Sequence, residues 1–162
     1  MSETHRIAAE LSREHDGEPW HGSSLTALLR GVTAPQAAAH VVPHVHTIWQ
    51  LVLHLTAWKQ EVRRRLSGAP AGEPQAGDWP EVGATTPERW RDALQKLDEA
   101  HDALVAAVRA LPEAALDERT RDGRDPDVGG GVTNYVLLHG VAQHDAYHAG
   151  QIALLVKVVR TL

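Results

Sequence analysis

The spacing of the apolar residues limits the fold of this chain more than any other feature. They recur at intervals of three and four, and never for long at intervals of two. Ile7 and Leu11, followed by Leu25, Leu28, Leu29 and Val32, lie a helical turn apart. Ile48, Leu51, Val52, Leu55, Val62 and Leu66 make a second stripe, and Trp90, Leu94, Leu97, Leu104, Val105, Val108 and Leu111 a third. Leu137, Val141, Ile152, Leu155 and Val159 make a fourth. A 3.6-residue period buries one face of a helix, whereas a half-buried strand needs strict alternation. The pattern predicts an all-α protein, a four-helix bundle. Residues 1–162 are read as a single domain, long enough to bury a full core without disulfides or metal staples.

Punctuation refines the elements. Residues 3–32 read as one long helix broken near 17–22, or as two helices end to end. Thr33-Ala34-Pro35-Gln36 predicts the cap and first turn of a short helix to Ala39, and His40 to His46, interrupted by Pro43, is a loop. Thr47 and Gln50 have capping-box spacing, with the threonine hydroxyl accepting from the third amide and the glutamine reaching back. Residues 69–84, rich in Pro, Gly and Ala, form a surface crossover that Trp79 anchors to the body. Thr86-Pro87 opens the third helix, with proline where its missing N–H costs nothing, and Pro112 closes it. A short turn and a polar connector fill 112–131; Asp122 to Asp127 does not make a calcium loop, because Pro126 and the missing downstream glutamate do not fit one. Thr133 caps a last helix that runs to about Arg160. The outer faces of these helices show no apolar excess that would mark a dimer surface, and Trp20, Trp49, Trp58 and Trp90 are read as core or interface packing.

Composition excludes several classes of function. With zero cysteines the chain has no disulfide, thiolate metal site or cysteine nucleophile, so a metal must sit on His, Asp or Glu. A net charge of −5 argues against a general nucleic-acid binder. No run approaches the ~18 apolar residues of a membrane span, and the charged N-terminus has no apolar core of a signal peptide. The expectation is a soluble, cytoplasmic protein with no nucleic-acid or membrane partner.

The eleven histidines carry the chemistry. His144 and His148 are four apart on the inward stripe of the last helix, about 5–6 Å from one another at Cβ. Buried imidazoles need partners; a shared divalent ion at roughly 2.0–2.1 Å supplies one, and backbone carbonyls or water are the alternative. A third ligand is sought on another helix. His54, between Leu51 and Trp58, and His101, one turn past Leu97, both qualify, and helical phase does not choose between them. His40 and His44 are also four apart, but Pro43 denies them an intact helix; His5, His15 and His21 are read as surface or packing residues. His139 lies roughly 140° around the helix from His144. A zincin needs glutamate after its first histidine, where this chain has the shorter Asp145. Asp145 is expected to face a neighbouring helix or to bind a ligand histidine; Glu61, two turns past His54 on its face, is a further candidate for that orienting role. Tyr147 and Gln151 flank the pair as candidate substrate contacts.

His54 in the run Ile48 to Trp58, with His144, Asp145, Tyr147, His148, Gln151 and Ile152 downstream, resembles the DinB/YfiT-like superfamily of metalloenzymes. The entry Gly17 to Gly22, Leu28-Leu29 and the short helix at Thr33 look similar too, so the resemblance spans about residues 10–158. It implies a four-helix bundle with a long crossover connection, commonly a homodimer, and a zinc or nickel ion held by His54, His144 and His148. It also implies a transferase or isomerase acting on a small molecule with a low-molecular-weight thiol such as bacillithiol, mycothiol or glutathione. Three neutral imidazoles leave the ion its full charge and an open position, as in a catalytic site. Such an ion lowers the pKa of bound water or holds a thiol as thiolate. With no cysteine in the chain, the thiol must arrive as a cosubstrate. The competing expectations are a metal-dependent hydrolase and a non-catalytic stress-response protein that binds metal or ligand.

Overall fold

The computed structural model describes residues 1–121 and 131–161; the aspartates weighed as a calcium loop lie outside them. Among the described residues six α-helices follow in order: α1 (Glu3–His15), α2 (Leu25–Leu29), α3 (Ala34–Ala38), α4 (Ile48–Leu66), α5 (Pro87–Ala110) and α6 (Asn134–Val159). A 3-10 turn, Glu113–Asp117, lies between the last two. Among the described residues there are no strands, only an isolated antiparallel bridge between Arg119 and Thr133. No described helix is long and apolar enough to cross a membrane.

Four of the helices are long. α1 packs on α5 and α6, and α4 packs on the same two, so they close a ring around the core; α2 lies on α6, and α3 on α4 and α5. Helix starts are where the caps predict them. Gln50 N donates to Thr47 Oγ1 at 3.2 Å and Thr47 N to Gln50 Oε1 at 2.8 Å, which completes the capping box of α4. Thr33 and Gln36 form the same motif on α3, and Thr86 and Thr133 cap α5 and α6.

Of the two readings of residues 3–32, the structure has two helices, and the second, α2, is short because Arg30 leaves the helical conformation and Gly31 takes φ +77°. Trp20, expected in packing, is fully exposed at 103 %. Trp49 and Trp90 are buried as expected, 5.1 Å apart, with Trp90 Nε1 donating to Val32 O at 2.7 Å. The outer face of α6 does carry an apolar excess: Val136, Tyr147, Leu154 and Val158 are exposed there.

The core is divided. One apolar cluster holds α2, α3, the first half of α4 and of α5, and the C-terminal half of α6; another holds α1, Val62, the second half of α5 and the N-terminal half of α6. Between them on the long helices lie buried polar residues: Lys59 on α4, His101 on α5 and Asp145 on α6, with His15 closing the layer from α1. His15 and His101 stack with centroids 3.9 Å apart and planes 6° from parallel, and His15 Nε2 donates to Asp98 Oδ1 at 2.8 Å.

Burial first, then the nearby charges of Lys59 and His15, push the pKa of His101 down to about 2; burial and Lys59 lower that of His15 against the opposing pull of Asp98. The folded protein therefore keeps His101 neutral at pH values where the unfolded chain, titrating near 6.5, takes up a proton. Stability is complete above pH ~6.5 and is lost as pH falls below it, by up to about 1.4 kcal/mol per pH unit for one such group. Urea unfolding at pH 7.5, 6.0 and 5.0 is expected to show this loss, and His101→Phe, which keeps a ring against His15, is expected to make it shallower. An unchanged slope in the variant would assign the acid sensitivity elsewhere.

Candidate metal centre

His54, His144 and His148 come together where α4 crosses α6. One nitrogen from each lies within 4.8 Å of the others, the one such group of three metal-ligating side chains among the described residues. His54 and His148 are buried and His144 is partly so. His54 Nε2 and His144 Nε2 stand 2.9 Å apart, and the His148 ring lies 4.7 Å from His54 and 4.5 Å from His144.

The tautomers follow from the bonds on the far side of two rings. His54 Nδ1 faces the Asp78 carbonyl at 2.6 Å, which can only accept, so Nδ1 carries the proton and Nε2 is left with a lone pair. His148 Nδ1 bonds Gln151 Oε1 at 2.8 Å with the same result. Metal-binding histidines characteristically donate their other N–H to an acceptor that fixes the ring. His144 Nδ1 is buried without a partner among the described residues. Two imidazole lone pairs at 2.9 Å repel unless a proton or a cation lies between them. Tetrahedral ligands at 2.0–2.1 Å from an ion stand about 3.3 Å apart, so a shift of a few tenths of an ångström admits one.

Charge agrees with geometry. Burial first, then His148, His54 and Lys59, lower the pKa of His144 to about 3; burial also lowers that of His148, against the bond from Gln151. Both imidazoles are thus neutral at pH 7, the form that ligates a cation. The donor set fits a divalent ion.

Of the residues singled out from sequence, Gln151 lies on the far side of the His148 ring, as described, and Tyr147 is 66 % exposed with its ring 5.0 Å from His148, at the rim. Asp145 faces a neighbouring helix, the first of its two expected roles, in a buried ion pair with Lys59 of α4. Glu61 does not reach His54: two turns is about 11 Å along a helix axis. Its carboxylate instead takes Arg64 Nε and Arg65 Nε, each at 2.7 Å, and the Gly72 amide at 3.3 Å. Arg64 and Arg65 donate in turn to Pro70 O and Gly72 O, so Glu61 pins the start of the crossover. His101 stays in the polar layer beside His15. His40 and His44 are exposed, and His5, His21 and His139 are engaged with Ser2, Glu14 and Glu10.

Three contributors were not legible as such. Asp78 orients His54 through its carbonyl and takes Trp58 Nε1 on its carboxylate at 2.7 Å. Trp79 does more than anchor the crossover: it stacks on His54 at 3.9 Å, and His46 stacks on its outer face at 3.5 Å. Lys59 is fully buried, at 0 % exposure. Its signal was present, since residue 59 falls on the inward stripe between Leu55 and Val62; Asp78 and Trp79 sit on a loop with no periodicity to place them.

A cleft of about 360 Å³ opens from the histidines between Trp58 and Val62 of α4 and Val136, Gly140 and Val141 of α6. His54 and His144 form its inner end. A larger hollow of about 760 Å³ lies elsewhere, between α4 and α5 near Arg63 and Leu111.

A family model described as the DinB superfamily matches residues 20–152, which includes all three histidines. No curated protein and no solved structure matches the chain at a significant level.

The Lys59–Asp145 pair ties the two helices that supply the histidines. Taking away one partner leaves a buried charge, so Lys59→Met is expected to cost about 3–5 kcal/mol of unfolding free energy in metal-free protein. Joining it to Asp145→Leu is expected to restore most of that loss, since an apolar replacement of a whole buried pair is often neutral. Chemical denaturation of the single and double variants checks both figures, and a double variant no more stable than the single one contradicts the argument.

Proposed function

The chain belongs to the DinB superfamily, and from that premise we propose that it is a metal-dependent transferase that joins a low-molecular-weight thiol to an electrophilic small molecule, or carries out the related isomerisation. The observation that carries the reading is the convergence of three imidazoles beside an apolar cleft. A divalent ion held by His54, His144 and His148 supplies Lewis acidity at an open position and holds a thiol as its thiolate. Zinc and nickel both suit an all-imidazole donor set. Asp78 and Gln151 fix the ligand rings, Trp79 shields His54, and the cleft receives the electrophile. A cytoplasmic setting, where thiols are kept reduced, goes with this chemistry.

The test is metal content beside turnover. Purified protein is expected to hold about one equivalent of zinc or nickel, and His54→Ala, His144→Ala and His148→Ala are each expected to lose most of it. Conjugation of bacillithiol, mycothiol or glutathione to a generic electrophile should require the metal. Ester or amide cleavage without a thiol would replace the transferase with a hydrolase, and full metal content in the three variants would remove the site.

We also propose that two copies pair through the outer face of the second half of α6. Tyr147 and Leu154, 66 % and 67 % exposed, and Val158 give that helix a second apolar side, and a helix apolar all round is ordinarily covered all round. Sedimentation velocity is expected to show a dimer that Leu154→Glu converts to monomer; a monomeric wild type rules the pairing out.

A further inference from the structure

The cleft beside the three histidines is a groove with a direction. His54, Trp58 and Val62 follow one another four residues apart along α4, so the wall they make extends about 12 Å away from the metal centre. Across it α6 runs back through His144, Gly140 and Val136. Trp58 is held rigidly as part of this wall, its Nε1 donating to Asp78 Oδ1 at 2.7 Å and its ring covered by Arg65 at 5.5 Å. Beyond the histidines the walls are valine, leucine and tryptophan, and the charged side chain among the described lining residues is the Asp78 carboxylate at the histidine end.

Gly140 is the odd residue. Glycine is among the poorest choices for a helix interior. Packing does not demand it here, because a Cβ built at Gly140 meets nothing within 4 Å, and its φ is not in the left-handed region. It sits about 6 Å along α6 from His144, part-way down the groove. A side chain at this position would stand in the groove.

We propose that the groove binds the uncharged, apolar chain or ring of a ligand whose polar end reaches the three histidines, and that Gly140 keeps the way open. This rests on the metal reading above and narrows it: the electrophile is hydrophobic, and the thiol, which is polar, takes the other side of the centre. Apolar lining rewards each methylene removed from water and gives a buried carboxylate no partner.

Alkyl hydroxamates test the idea without any turnover, because the hydroxamate chelates the metal and only the tail varies. Calorimetric titration of zinc-loaded protein is expected to show affinity rising about three- to fourfold per methylene from acetohydroxamate upward until the groove is full. A tail of the same length ending in a carboxylate should lose that gain. Gly140→Leu is expected to abolish the chain-length dependence while zinc content and acetohydroxamate affinity hold, and Gly140→Ala to raise the thermal midpoint. Chain-length dependence that is absent from wild type, or intact in Gly140→Leu, overturns the proposal alone. A protein that takes up no zinc overturns the metal reading, and this inference with it.

Discussion

A buried ion pair at the middle of the bundle, Lys59 with Asp145, sets the conditions for everything around it. Taking two charges out of water is costly, and their attraction repays it only when they meet closely. Lys59 is fully buried on α4 and Asp145 nearly so on α6, so the two helices must lie in one register for either charge to be tolerated. That register is the one that brings His54 opposite His144 and His148. Asp145 directly follows His144 in sequence, and Lys59 lies five residues from His54. The pair also splits the apolar core in two, with the stacked His15 and His101 filling the rest of the polar layer. A layer of this kind adds little net stability.

The crossover between α4 and α5 is the second working part. A connection of this length without its own secondary structure ordinarily carries function. Glu61 grips its start through Arg64, Arg65 and the Gly72 amide; further along, Asp78 sets the tautomer of His54 and Trp79 covers its face. The Glu61 carboxylate, on α4, holds the loop to the helix, and the Asp78 carbonyl, on the loop, holds a histidine. The centre is built from two helices and a strap, and the strap reaches the surface through the stack of His46 on Trp79.

Helix α6 carries conflicting demands. Its inner face supplies both apolar clusters, the polar layer and two of the three histidines, while its outer face keeps exposed valine, tyrosine and leucine and two glycines with empty space beside them. A helix selected for core packing alone would carry polar residues and good helix formers on that side. The departure from local preference runs along α6 on both sides of the histidines, and departures of this kind are expected when a surface serves a ligand or a partner.

The sequence alone determined the helical class, the four long stripes, the caps at Thr33, Thr47, Thr86 and Thr133, and the pairing of His144 with His148. Those are local properties, set by a period of 3.6 residues and by side chains that reach their own backbone. Family resemblance singled out His54 in preference to His101, and it is His54 that lies beside His144 and His148 in the fold; which residues of α4 and α5 face α6 is not set by anything within one helix. Only the tertiary structure decided that Asp145 pairs with Lys59, that Glu61 serves the crossover instead of His54, that Asp78 and Trp79 complete the centre, and that Trp20 stands in solvent. Each of these depends on where a loop lies or on how two helices are rotated against each other. Periodicity records which face of a helix is buried; it carries no information about what that face meets.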